Sequence, residues 1–475
     1  MPAASLVLGI DSSTQSTKAV LVDADDGTVV EQRTATHPPG TSVDPRAWVA
    51  ALEDAAGPLL PRAAAVAVGG QQHGAVMLDE AGEPVRDALL WNDLRSASAA
   101  DELIEELGGP DACAELTGSV LNASYTVTKL RWLRDHEPDA AARLQRVLLP
   151  HDYLSWHLAG PDSGPDSGPT TDRGDASGTG YFSTRHGTWL PDLLVRALGR
   201  EVALPRVAGP SEVVAERDGV AIGPGTGDNM AAALGLDLGP GDVAVSIGTS
   251  GVASMVTSDA IADGTGDIAG FADATGQFLP LACTINAARI LELGERLLGV
   301  DHDGLAELAL ESGPGAHGLT LLPYLEGERT PRRPEAAGTL HGLTSATTRA
   351  DLARAHVEGL LFSLADAVDA LARVCGEEPQ RLLLIGGAAR NAAVQALAPA
   401  VFGVPVAVPD PGEYVALGAA RQAAWARSGD AHPPAWPVRS TTLPAAQSDP
   451  GARENYATLR ERTATWKPGR RQLSR

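Results

Sequence analysis

Cysteine is nearly absent from this chain: Cys113, Cys283 and Cys375 are the only three in 475 residues. They are far apart, odd in number and form no Cys-x-x-Cys pair. That argues against a disulfide framework or a zinc site and fits a reducing cytoplasm. Lysine is as scarce, with Lys18, Lys129 and Lys467 set against 34 arginines, and the net charge of −23 argues against nucleic acid or an anionic membrane as partner. No run approaches the roughly 18 apolar residues of a membrane span. The N-terminal LVLGI is short, follows no basic segment and reads as a first strand instead of a signal peptide. GxxxxGK[ST] and HExxH are missing, which removes the P-loop nucleotide and zinc-metalloprotease schemes.

What is present describes a soluble α/β protein of two domains, with 44% apolar residues and a length too great for one ordinary core. Two small-residue turns dominate. Asp11-Ser12-Ser13-Thr14-Gln15-Ser16-Thr17-Lys18 lies between apolar runs 6–10 and 19–22, and Gly248-Thr249-Ser250-Gly251 lies between 243–247 and 252–256. A strand–turn–strand of this kind can aim several N–H groups and hydroxyls at phosphate oxygens. Two such nests, 237 positions apart, suggest a polyphosphate held across a cleft between related domains. With so acidic a chain, backbone dipoles, a metal ion and a few local cations must hold that anion.

Asp228 follows three alternate glycines (Gly223, Gly225, Gly227) and leads into a small-residue helix. A carboxylate there reads either as a helix N-cap or as a base for a substrate hydroxyl. Asp11, at the end of an apolar strand, reads either as an Asx-turn residue or as a carboxylate organising Mg²⁺ through water beside phosphates. Gln71-Gln72-His73 and Trp91-Asn92-Asp93 each follow an apolar run and carry groups suited to sugar hydroxyls and C–H faces, or to turn structure and capping. Gly386-Gly387-Ala388-Ala389-Arg390-Asn391 is a strand–Gly–helix joint that permits close approach of an adenosine, or only tight packing.

Along the chain, residues 6–35 read as a three-stranded meander, 45–60 as a helix, 63–68 as a buried strand and 94–107 and 128–158 as mostly helical. GPDSGPDSGP (160–169) reads as a flexible insert. The longest helix is expected from Thr348 to Cys375, with strands at 382–385 and 404–408 and helices from Asn391 and over 415–426. Residues 428–450 read as irregular, 453–466 as a last helix and 467–475 as a solvated basic tail.

Nine segments in order resemble the FGGY family of carbohydrate kinases, its xylulokinase branch above others. They are GIDSSTQSTKAVLVD (9–23), GGQQHGAVMLD (69–79), ALLWNDLRS (88–96), LLPHDYL (148–154), GTGDNMAAALG (225–235), SIGTSG (246–251), LLPYLEGERTP (321–331), LIGGAARN (384–391) and ALGAAR (416–421). The resemblance implies an actin-like ATPase fold, with two ribonuclease-H-like domains flanking a central cleft and divided here as 1–240 and 241–470. It implies Asp228 as catalytic base and Asp11 as the carboxylate near metal and γ-phosphate. Gln72, His73, Trp91, Asp93 and Asn229 would contact the sugar. Thr14, Lys18, Gly248, Thr249, Ser250, Gly386, Gly387, Ala388 and Asn391 would contact ATP. The sequence departs from the pattern at Gln72 (often Met), His151 (often Lys), Ala388 (often Gly), and Ala393 and Val394 (near a usual aromatic).

The expected function is therefore phosphorylation of a ketopentose, D-xylulose first, by MgATP in the cytoplasm, with a homodimer left open as the assembly. Ribulose, gluconate and glycerol kinases are the alternatives within the family, with Arg95 the residue that would favour a carboxylate substrate. An actin-fold conformational ATPase is the alternative outside it.

Overall fold

The computed structural model describes residues 5–160, 168–447 and 449–466, so most of the 160–169 insert and the basic tail expected at 467–475 lie outside the described residues. The chain divides into two compact units. One comprises residues 1–238, 258–279 and 411–438, and the other 239–257, 280–410 and 439–475.

The first unit is built on a mixed sheet of β1 (Leu6–Ser12), β2 (Ser16–Asp23), β3 (Val29–Thr36), β4 (Ala65–Gly70), β5 (Ala215–Arg217), β6 (Val220–Ile222) and β7 (Thr226–Gly227). Its order is β5-β6-β4-β1-β2-β3, with β7 continuing alongside β4. β1, β2 and β3 form an antiparallel meander, while β4 is parallel to β1, β6 and β7.

Alternate side chains of β1 leave on opposite faces, and both faces are buried. Leu8, Ile10 and Leu21 pack with Trp48, Leu52 and Ala55 of the helix Arg46–Ala56. Val7, Val20, Ala65 and Ala67 pack with Ala416, Ala420 and Ala423 of the helix Tyr414–Ser428. That second contact is why a segment near the end of the chain belongs to the first unit.

The second unit repeats the plan. Its strands are β8 (Asp242–Ile247), β9 (Gly251–Met255), β10 (Phe278–Thr284), β11 (Arg381–Ile385), β12 (Val406–Pro409) and β13 (Ser440–Thr442), in the order β10-β9-β8-β11-β12-β13. A hairpin, β8–β9, extends to an antiparallel third strand, and β11 then runs parallel to β8. β4 relates to β1 in the same way. The helix Arg349–Cys375 opens on a capping box, with the Thr348 hydroxyl accepting from the Asp351 N–H and the Asp351 carboxylate accepting from the Thr348 N–H.

Three local expectations change. The helix expected over 45–60 ends at Ala56, before Gly57-Pro58, where the proline has no N–H to continue it, and a separate 3₁₀ turn, Leu60–Arg62, follows with Pro61 in its opening positions. A strand, Arg146–Leu148, divides the helices of 128–158. The irregular stretch 428–450 contains β13, which pairs with β12.

Candidate active site

Parallel strands end together, and their carboxyl ends are where loops can converge on a ligand. In the first unit the registers Asp11↔Gly69 and Ser12↔Gly70 align β1 with β4, and Thr226↔Gly69 and Gly227↔Gly70 align β7 with β4. Asp11, the loop Gln71–His73 and Asp228 therefore emerge at one edge of the sheet.

Asp228 is the first residue of the helix Asp228–Gly235, and Gly227 holds the cap position, so the N-cap alternative is overturned. Its Oδ1 accepts from the Asn229 backbone N–H (2.8 Å) and Nδ2 (3.0 Å). Asn229 Nδ2 also donates to Gln72 Oε1 at 2.9 Å. Gln72 is 4% exposed and its Nε2, a buried donor, has no hydrogen-bond partner among the described residues. Burial first, then the negative charge of Asp11, pushes the Asp228 carboxyl up to about 7, although one edge stays open to solvent.

Asp11 belongs to β1, not to a turn, and its buried Oδ1 has no partner, which overturns the Asx-turn alternative. Burial pushes it to about 7, against the pull of Lys18 and with a further push from Glu413. Lys18, opposite Asp11 across the hairpin, pairs with Glu413 at 2.5 Å. Thr14 Oγ1 accepts from the indole N–H of Trp91 (2.9 Å), whose ring is 41% exposed.

His73 adopts the left-handed backbone region (φ 66°), and its Nδ1 donates to the Gly178 carbonyl at 2.6 Å. Its ring lies 5.0 Å from that of Tyr125 and 5.8 Å from that of Phe271. The His73 carbonyl accepts from Thr126 Oγ1 (3.1 Å) and Lys129 Nζ (3.3 Å). Lys129 is fully buried, and its ammonium is pulled down to about 7 by burial against the attraction of Asp93. Asp93 is committed within the chain: Arg95 Nε and Nη2 donate to its two oxygens (2.8 and 2.9 Å) and Thr41 Oγ1 donates at 2.8 Å. Burial raises Asp93, but these bonds outweigh it and hold the carboxyl below its usual range. Arg95 is thereby occupied, and it also stacks over Trp132 at 5.1 Å.

The second unit builds its own edge in the same manner. Ser246↔Ile385 aligns β8 with β11, so the turn Gly248–Ser250 and the joint after Ile385 start side by side. Gly248 N–H is spent on the Ser250 carbonyl (3.1 Å) and Gly251 N–H on Thr284 Oγ1 (3.1 Å). Gly386 opens a 3₁₀ turn, Gly387–Arg390, in which Ala388 is buried. Asn391 caps the helix Ala392–Phe402, its Oδ1 accepting from Ala393 and Val394 N–H, and its Nδ2 faces His302.

The N-terminal domain of the FGGY family of carbohydrate kinases matches residues 6–235, and the C-terminal domain of that family matches residues 243–427. The chain belongs to the FGGY family of carbohydrate kinases. It is 48% identical to xylulose kinase of Streptomyces coelicolor over 90% of this chain and 89% of that protein, and 47% identical to that of Streptomyces rubiginosus over the same shares. The crystal structure of xylulose kinase from Bifidobacterium adolescentis, 43% identical, superposes with a TM-score of 0.91 over 96% of this chain and 99% of that one. The architecture is thus the actin-like ATPase fold of this kinase family.

Among FGGY-type site residues, Asp11, Gln72, Asn229 and Asp228 come together at one edge of the first sheet, and Thr14 and Trp91 are joined beside the first turn. Asp93 and Asn391 already have their side chains engaged. The sequence pointed to neither Glu413, the partner of Lys18, nor Lys129 behind His73. Both lie far along the chain from the residues they serve, and only Lys129 carried a signal, as one of three lysines.

Proposed function

We propose that this carbohydrate kinase transfers the γ-phosphoryl group of ATP to the O5 hydroxyl of D-xylulose, with Asp228 as general base. The observation that carries the reading is the near-half identity to two xylulose kinases over nine-tenths of the chain. The buried, unsatisfied Nε2 of Gln72 beside Asn229 and Asp228 supports it, because a sugar oxygen would supply the missing acceptor.

In this mechanism Gln72, Asn229 and His73 orient the ketose so that O5 donates to Asp228. As O5 bonds to phosphorus, the bond to the bridging oxygen of ADP breaks, and the O5 proton passes late to Asp228. Positioning dominates such a reaction, because the transition state is loose. A carboxyl raised to about 7 is a stronger base than an ordinary carboxylate and remains largely ionised slightly above neutrality. The N–H groups of Thr249 and Ser250 take phosphate oxygens, and Gly386–Ala388 offers backbone to the adenosine. Asn391 acts there as the cap that shapes the joint. Lys18 reaches phosphate only by exchanging Glu413 for it.

Asp11, with a buried oxygen free of other partners, suits Mg²⁺ held through water, which would neutralise phosphate charge. On this reading the protein works in the cytoplasm on free sugar and MgATP.

The test is ADP release from MgATP across D-xylulose, ribulose, gluconate, glycerol and a blank. A many-fold rise with D-xylulose alone is expected, and Asp228→Asn should lower turnover roughly 10²–10⁴-fold with a melting midpoint no lower than the parent's. A different preferred sugar would reassign the pocket around Gln72. An Asp228→Asn protein that keeps most of its activity would remove the base.

A further inference from the structure

His151 is fully buried in the first turn of the helix Pro150–Ala159, and both its ring nitrogens face carboxylates. Nδ1 is hydrogen-bonded to Asp175 Oδ2 at 2.6 Å, while Nε2 lies 3.2 Å from Asp152 Oδ1 without a hydrogen bond between them, and neither of those two atoms has a hydrogen-bond partner among the described residues. A neutral imidazole has one N–H and would turn a lone pair toward one of these oxygens. An imidazolium donates to Asp175 and sets its second N–H and its positive charge beside Asp152. The 2.6 Å contact leaves no room for a metal ion between His151 and Asp175.

His151 is held between the two loops that carry the site, its ring against Gly225 and its Cβ and backbone against Gly70. A Cβ at Gly225, which has φ 75°, would meet His151 Cδ2 at 2.6 Å, and a Cβ at Gly70 would meet His151 Cβ at 2.8 Å. Gly70 precedes Gln71–His73, and Gly225 precedes Asp228 by three residues. Asp172, which caps the short helix containing Asp175, accepts from Thr226 Oγ1 at 2.8 Å. The Asp175 carbonyl accepts from Gly178 N–H, and the Gly178 carbonyl in turn holds His73 Nδ1.

We propose that His151 is a positioning residue: as an imidazolium between Asp175 and Asp152, it fixes the loops that carry His73 and Asp228 at their reactive spacing. The inference rests on the reading of Asp228 as base. The groups facing His151 are Asp152 on its own helix, Asp172 and Asp175; Asp228 acts on Asp175, and Asp152 and Asp175 together push the Tyr181 hydroxyl up. Among the charges acting on Asp152, Asp172 and Asp175, His151 is the cation. Burial pulls the imidazolium down, but Asp152 and then Asp175 overcome it and raise it to about 9. Its stabilisation is therefore complete below the ordinary histidine range near 6.5 and is lost as pH rises through about 9.

The experiment compares His151→Gln with His151→Lys, which keeps a buried cation, using kcat and KM for D-xylulose and MgATP from pH 6.5 to 10. His151→Gln should lower kcat by about 100-fold with KM for MgATP within about 3-fold, the cost of displacing a reacting group by roughly 1 Å. His151→Lys should restore kcat to within about 10-fold of the parent and move the alkaline fall in activity upward.

A Gln variant with parental kcat and pH profile overturns the proposal. So does a folded Lys variant as impaired as the Gln one. In the wild-type protein, histidine ¹⁵N shifts should show both nitrogens of the most exchange-protected ring protonated at pH 7.5. A neutral ring, or stoichiometric bound metal lost with His151, overturns the proposal whether or not the variants fold. Absence of xylulose-dependent turnover in the wild type would count against the functional reading alone.

Discussion

Asp11 weakens the strand that carries it. Its carboxyl is buried in β1 and raised to about 7, so at neutral and alkaline pH the folded state holds a charge that the unfolded chain would hydrate. With the folded value above the unfolded one, the group favours folding below about 4 and loses that contribution as pH rises through about 7. Asp11→Asn should therefore raise stability at pH 8 by about 1–3 kcal/mol, seen as a higher melting midpoint, with little gain at pH 4. Equal gains at both values would locate the effect in packing. Activity should fall in the same variant.

This residue and Asp228 were legible because each follows an apolar strand and adjoins a small-residue turn. The commitment of Asp93 to Arg95 and Thr41 was not, since a carboxylate beside a tryptophan looks the same whether its oxygens are free or taken. The partnership of His151 with Asp175 bridges 24 positions that no local pattern connects.

At the scale of elements, Asp228 stands where it does because two helices touch through glycine. A Cβ on Gly418 would lie 1.8 Å from the Ala231 carbonyl oxygen, and one on Gly235 would lie 2.2 Å from that of Tyr414. The helix Asp228–Gly235 is thus pressed backbone to backbone against Tyr414–Ser428, and Arg421 Nη1 secures it by donating to the Leu234 carbonyl at 2.8 Å. Backbone atoms cannot swing aside as a side-chain tip can, so the helices must part to admit a methyl group. Gly418→Ala should cost about 2 kcal/mol or more in stability and reduce kcat, because the displaced helix begins at Asp228. A melting midpoint within about 1 °C of the parent would show that the helices have slack there.

The sequence segment 416–421 marked this helix without revealing its role. Its helical character was readable from composition, but which sheet it covers depends on a long-range choice, the burial of Ala416, Ala420 and Ala423 against β1 and β4. The first meander was easier, since apolar runs on either side of a small-residue turn announce themselves locally, whereas the strand Phe278–Thr284 of the second was not expected.

The whole molecule is one architectural plan used twice, each unit with its own sheet and its own turns at the carboxyl ends of parallel strands. Because each unit owns a separate core, ligand binding should protect them separately. D-xylulose, read through Gln72, His73 and Asp228, should slow amide exchange chiefly at 69–74 and 225–235. A non-hydrolysable ATP analogue should slow it at 248–251 and 386–391. A ligand at 100 times its dissociation constant stabilises its site by about 2.7 kcal/mol, or about 100-fold in the exchange of amides that open with that site. Hydrogen exchange with each ligand alone measures this. If the sugar instead protected 386–391, or the nucleotide protected 69–74 without touching 248–251, the division of labour between the units would be reversed. Asp228 would then lose its substrate while keeping its geometry, and the duplicated plan would have to be read in the opposite order.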